Sequence, residues 1–255
     1  MKRFFVLFAL CVAFMVGCGL GQAESGEKEV FVATIDGEIN GQAADYVERV
    51  ISEAEESEAS AVAIELDTPG GALTSTERMI EAMTGADETP VIVHVPRGGA
   101  AISAGTFIVM ASDVAAMAPG TRLGAASPVT MFGQDIPGTL GDKVTNDSVA
   151  LITGLAENRG RNEEWAESAV REAASENAED ALEMGIVEHL EEDLESVLEA
   201  ADGERVEPKG LTLDVADAAL IQQSRTFGER FGIPLWAVVV PGVAVVLVLV
   251  GVTLA

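Results

Sequence analysis

An α/β domain built on a mainly parallel core sheet is predicted by three features of the chain. Short β-branched runs recur along it, helical apolar periodicity fills the intervals between them, and Gly-rich turns follow the runs. Such alternation makes βαβ units, which leave ligand-binding turns at the carboxyl ends of the strands.

The elements follow in order. Residues 29–35 and 61–66 read as strands. Between them Ala44, Val47, Val50, Ile51 and Ala54 recur at helical spacing, with Glu and Arg on the other face. A helix is expected around 74–83, a third strand at 91–95, a helix from Ser103 toward Asp113 and a fourth strand at 114–117. Asn162 before Glu163 and Glu164 caps another helix and supplies the negative charge that a helix start favours. Gly185 closes a helix ahead of a late strand at 186–189, and the acid-rich stretch 191–205 marks the exit from the domain. The globular domain is therefore expected over 29–205, followed by an amphipathic connector over 206–233.

Both ends of the chain are apolar. Lys2 and Arg3 precede the run 4–16 and small residues follow, so 1–23 reads as an export signal. Met15-Val16-Gly17-Cys18 resembles a lipobox, with Cys18 as the lipidation site, and cleavage after Ala23 is the competing reading. Residues 234–255 carry no charge. At about 1.5 Å per residue they are long enough to cross a hydrocarbon core of about 30 Å, so a transmembrane helix is expected there. Trp236 stands at its start, where an indole favours the headgroup boundary.

The formal net charge of −27, from 42 acidic and 15 basic residues, excludes a nucleic-acid partner, because phosphate contacts need clustered cations. Cys11 and Cys18 both lie in the export segment, so no disulfide is available to the domain. Neither a metal-ligand spacing nor a phosphate-cradling loop ending in Lys-Ser or Lys-Thr is found, and no metal or cofactor is expected.

Two strand-end turns suggest chemistry. Asp67-Thr68-Pro69-Gly70-Gly71 follows the second strand, where two glycines let a backbone N–H face an incoming carbonyl. Ser103 follows the third strand through Arg97-Gly98-Gly99 and opens a helix, where the dipole favours developing negative charge. A serine needs a base, and a desolvated lysine can be one. The chain has four lysines against eleven arginines, and between Glu29 and Pro208 the one lysine is Lys143, forty residues after Ser103. A Ser-Lys hydrolase is the reading, with Asp142 and Asp147 expected to face solvent so as not to hold the amine charged. Most serines are capping residues and most lysines solvated charges, so the weight rests on the conjunction. His94 and His189 are read as structural, since neither lies where a Ser-His-Asp triad would need it.

The chain resembles the membrane-bound Clp-class serine proteases of the NfeD family at Leu-Asp-Thr-Pro-Gly-Gly (66–71), Ser-Ala-Gly-Thr (103–106), Ala-Pro-Gly-Thr (118–121), Gly-Ala-Ala-Ser-Pro (124–128), Lys-Val-Thr-Asn-Asp (143–147) and Leu-Ala-Glu-Asn-Arg-Gly-Arg-Asn (155–162). The resemblance implies a ClpP/crotonase-like fold, endopeptidase activity and membrane anchoring, and the export signal places the protease domain outside the cytoplasm. Carried over by residue, it makes Ser103 the nucleophile and Lys143 the general base. The N–H groups of Gly71 and Ala104 become the oxyanion hole, with Gly70 in the supporting loop. Expected partners are a protein or peptide substrate, prohibitin/stomatin-type membrane proteins, the membrane and at least a second copy of the chain. Alternatives are a signal-peptide-peptidase-like protease, a crotonase-like acyl-CoA enzyme and a non-catalytic scaffold for prohibitin/stomatin-type proteins.

Overall fold

A computed structural model describes residues 28–130 and 133–232. The export signal with Cys18 and the uncharged run 234–255 lie outside the described residues. Among the described residues no helix is long and apolar enough to cross a membrane.

The chain order is β1 (Glu29–Asp36), α1 (Gly41–Glu56), β2 (Ala61–Asp67), α2 (Leu73–Gly85), β3 (Val91–Val95), β4 (Ala100–Ala101), α3 (Ala104–Ala111), β5 (Val114–Met117) and β6 (Arg122–Gly124). It continues with α4 (Gly138–Arg159), α5 (Glu163–Arg171), β7 (Ser175–Asn177), α6 (Ala178–Glu183), β8 (His189–Leu190), α7 (Leu194–Ala201), β9 (Arg205–Val206), β10 (Leu211–Thr212), β11 (Ala219–Gln222) and α8 (Phe227–Phe231). Six strands form the core sheet in the order β11-β1-β2-β3-β5-β8, every pair parallel. Beside it stands a small sheet, β4-β6-β7.

Alternation along each strand divides the interior in two. Ala33, Ile35, Ile64, Leu66, Val93, Val95 and Met117 face the larger core with α1, α2, α3 and α4. Val30, Val32, Ala63, Ile92 and Ala116 face the smaller one, closed by α7 and by Val206, Leu213 and Val215. The central strand β3 is buried throughout, as a parallel strand covered on both faces must be.

Two expectations at the C-terminal side are corrected. The late strand is shorter and shifted, pairing with β5 only through His189 and Leu190. The described fold continues past 205. The stretch expected as an amphipathic connector over 206–233 holds a hairpin, β9-β10, and the strand β11, which pairs with the edge of β1 in the register Glu29↔Ala219 to Val32↔Gln222. The open edge of β1 supplies the reason, since its unpaired backbone groups would otherwise need water. Tyr46 in α1 fixes this addition, donating to the Gln223 carbonyl (2.6 Å) and accepting from the Thr34 N–H (3.2 Å). A bidentate Arg49–Glu229 pair then holds α8 along α1.

Candidate active site

Three backbone segments converge at the carboxyl ends of β2 and β3. After β2 the chain continues as Thr68-Pro69-Gly70-Gly71, and Thr68 bridges to Ala101 of β4. The buried Thr68 hydroxyl accepts from the Gly70 N–H (3.0 Å) and donates to the Gly70 carbonyl (3.1 Å), so one side chain sets the turn. Asp67 accepts from the Ala100 N–H (2.9 Å) and ties the β3 loop to the same corner. From the other side the Ile39 N–H donates to Gly70 (2.9 Å), and the Ala72 N–H donates to Ile39 (2.8 Å).

This packing requires both glycines. Gly70 has φ +122°, and an added Cβ would stand 2.9 Å from Ser103 Cβ. At Gly71 a Cβ would collide with the Ile39 carbonyl. The glycine turn thus passes directly against Ser103. Gly105 serves the same close approach from α3, where an added Cβ would reach 2.7 Å from the Thr68 methyl group.

Ser103 stands at the N-cap of α3 with φ 53° and ψ −109°, a left-handed conformation that a non-glycine residue rarely adopts. Its side chain caps nothing. Its N–H donates to the Ala125 carbonyl (2.8 Å) and its carbonyl accepts from the Thr106 N–H (3.0 Å), so the strained residue is pinned at both ends. Such strain costs about 1–3 kcal/mol and persists where the surroundings over-determine it. Ala104 begins the helix, so its N–H has no intrahelical acceptor and points out of the helix start.

A cleft of about 310 Å³ opens over Ser103. Gly71, Ser103 and Ala104 line its floor, and Leu73, Phe107, Ala126, Pro128, Val129, Ile136 and Val144 give it apolar walls, with Thr76 and Ser148 as hydroxyls. Ser103, Ala104, Gly70 and Gly71 are therefore brought together as the sequence suggested. Lys143 is the exception. It is exposed on the second turn of α4, it does not line the cleft, and its neighbour Val144 does. The expectation of a desolvated lysine is met instead by Lys209, whose side chain is 4% exposed. Lys209 donates to the carbonyls of Met83 (3.1 Å) and Thr89 (3.0 Å) and to Asp113 (2.6 Å). Burial pulls its pKa below the ordinary lysine value, against the pull of Asp113. That cluster, joined by Arg159 to Asp113 (2.8 Å), braces the opposite end of the sheet and is structural. Asp142 and Asp147 are exposed, as expected.

Among the described residues no group of His, Cys, Asp and Glu is placed to hold a metal ion. His94 is buried in β3, its Nε2 lies 3.3 Å from the Glu191 carbonyl, and burial depresses its pKa. Sequence reasoning passed over Thr68 and Ile39. Thr68 was within reach, since it stands inside the Asp-Thr-Pro-Gly-Gly motif. The role of Ile39 is a backbone pairing without a side-chain signature.

The profile of the NfeD1b N-terminal domain matches residues 29–206. The membrane-bound protease PH1510 of Pyrococcus horikoshii is 37% identical over 178 residues, covering 68% of this chain and 40% of that protein. The chain thus spans well under half of that relative. Among solved structures, a membrane-bound stomatin-specific protease, as a lysine-to-alanine mutant in complex with a substrate peptide, superimposes with TM-score 0.73 at 32% identity, covering 80% of this chain and 96% of that one. A serine-to-alanine mutant of the stomatin-specific protease gives TM-score 0.72 at 33% identity, with coverages of 78% and 99%.

Proposed function

We propose, from the premise that the chain belongs to the NfeD1b N-terminal-domain family, that it is a membrane-anchored serine endopeptidase with a ClpP/crotonase-like domain. Ser103 is the nucleophile and Lys143 its base. The observation that carries the reading is Ser103 itself, held at a left-handed φ on a helix N-terminus, against a glycine turn and at the floor of an apolar cleft.

Each part has a task. The N–H groups of Gly71 and Ala104 face the oxygen that becomes negative when the Ser103 hydroxyl adds to a peptide carbonyl. The α3 dipole favours the same charge. Lys143, neutral when it acts, takes the serine proton and passes it to the leaving amine, and water then releases the acyl group by the reverse path. A peptide filling the apolar cleft excludes water from the site. The relative studied as serine and lysine mutants supports this pair of residue types. Its stomatin specificity supports a stomatin-type membrane protein as substrate. The domain is extracytoplasmic, with 1–23 as export signal, Cys18 as lipidation site, 234–255 as the membrane span and a second copy as partner.

One observation favours a second reading. Exposed Lys143, outside the cleft, suits a scaffold that binds stomatin-type peptides without cutting them. Lys143→Arg separates the two, because arginine keeps the charge and stays protonated at neutral pH. The protease reading expects peptide hydrolysis to fall by about 10²–10⁴-fold, the usual loss for a missing acid-base group, with the circular dichroism unchanged. Undiminished hydrolysis in that variant removes Lys143 from the mechanism. Absence of hydrolysis in the parent, with peptide binding intact, supports the scaffold.

A further inference from the structure

We infer that the cleft end of the domain rests on the bilayer surface, so that Ser103 faces the lipid headgroups rather than the aqueous phase. The inference rests on reading 234–255 as a membrane span and on the proposed site at Ser103.

The path of the chain carries it. All six core strands run parallel, and the cleft lies at their carboxyl ends. The crossover helix α1 runs the other way, so Gly41 lies at the cleft end and Glu56 at the far end. At 16 residues α1 is about 24 Å long. The last described segment runs along α1 and ends at its cleft end. Gln223 meets Tyr46, Glu229 meets Arg49, and a Cβ on Gly232 would lie 2.6 Å from Gln42 in the first helical turn. Ile39, three residues before Gln42, is the residue whose backbone holds Gly70 and Ala72. The uncharged run begins two positions after Gly232.

That exit is braced. Besides the Tyr46 and Arg49 bonds, the Arg49 and Arg225 guanidinium groups lie 5.6 and 5.3 Å from the Tyr46 ring centre, and Thr226 and Glu229 close a capping box on α8. A short, braced connection transmits orientation, where a long flexible one would not.

The surface agrees with the path. Five large apolar side chains are exposed among the described residues, and Leu73 and Val129 line the cleft mouth. Leu140, the most exposed at 64%, lies one helical turn before cleft-lining Val144 and shares its face. The other two, Leu182 and Met184, sit beside Asn162 at the far end, away from the segment that leads to the apolar run. The occupant of the cleft rim is thus the lipid surface that the chain enters beside it. Such an arrangement restricts cleavage to substrate segments at the membrane boundary.

The test uses the chain with the export signal 1–23 removed, which leaves no native cysteine, reconstituted in phosphatidylcholine vesicles. An environment-sensitive fluorophore is placed at Leu140→Cys or at Glu56→Cys, and quenching is read with lipids spin-labelled near the headgroup. The expected result is loss of about half or more of the emission at Leu140 and almost none at Glu56, since interfacial apolar groups seat about 5–10 Å into the headgroup boundary. Equal quenching at both sites, stronger quenching at Glu56, or failure of the protein to float with the vesicles overturns the inference. The same measurement on Ser103→Ala reads orientation without catalysis, so an inert Ser103 and a misoriented domain are told apart.

Discussion

At the scale of the residue, Ser103 shows what the site costs. Its φ of 53° is strained for serine and natural for glycine. Ser103→Gly relieves about 1–3 kcal/mol of backbone strain and gives back about 0.5–1 kcal/mol in chain entropy. Ser103→Gly should therefore unfold at a higher temperature than Ser103→Ala. A lower midpoint for the glycine variant in calorimetry would show that the conformation is unstrained. His94 gives a second prediction. Burial lowers its pKa from the ordinary 6.5, and Nδ1 has no partner among the described residues. The unfolded chain therefore takes up a proton that the folded one refuses. Stability from this residue is complete above about pH 6.5 and is lost as pH falls through the lower folded value. The pH slope of urea midpoints below 6.5 should flatten in His94→Gln, and an unchanged slope would assign it to other groups.

At the scale of the element, the glycine turn after β2 depends on one hydroxyl. Thr68→Val keeps the shape but leaves the Gly70 N–H without its acceptor, at a cost of about 1–3 kcal/mol. Gly71 then loses its fixed position, so kcat should fall more than KM rises. A change in KM alone, in steady-state peptide cleavage, would mean that the turn only binds substrate. These elements also mark how far the sequence could be read. The strands β1, β2, β3 and β5 and the helices α1, α2 and α5 were legible, because the strands are short β-branched runs and the helices bury periodic apolar faces, α1 and α5 with side-chain caps of their own. β11 was not, since Ala-Leu-Ile-Gln becomes a strand through the open edge of β1, a partner nearly two hundred residues away. Ser103 and the two glycines, which lie together beside the cleft, were singled out by their motifs. The exposure of Lys143 could not be read, because its neighbours on α4 alternate between cleft and solvent and no spacing says which way a long stem turns.

At the scale of the whole molecule, a net charge of −27 places most carboxylates beyond the reach of any cation. Their mutual repulsion opposes the compact state and is screened as the Debye length shrinks from about 10 Å at 0.1 M salt to about 3 Å at 1 M. The thermal midpoint should rise between those two concentrations of potassium chloride, and a flat response would mean that the charges are already spaced widely enough. The central claim is that one serine, Ser103, does the chemistry, and labelling with a fluorophosphonate followed by mass spectrometry of the digested protein tests it without knowledge of the substrate. The account predicts a single adduct on the peptide containing Ser103, absent from Ser103→Ala and slowed in Lys143→Arg. An adduct on another serine, or peptide hydrolysis that persists in Ser103→Ala, would contradict it.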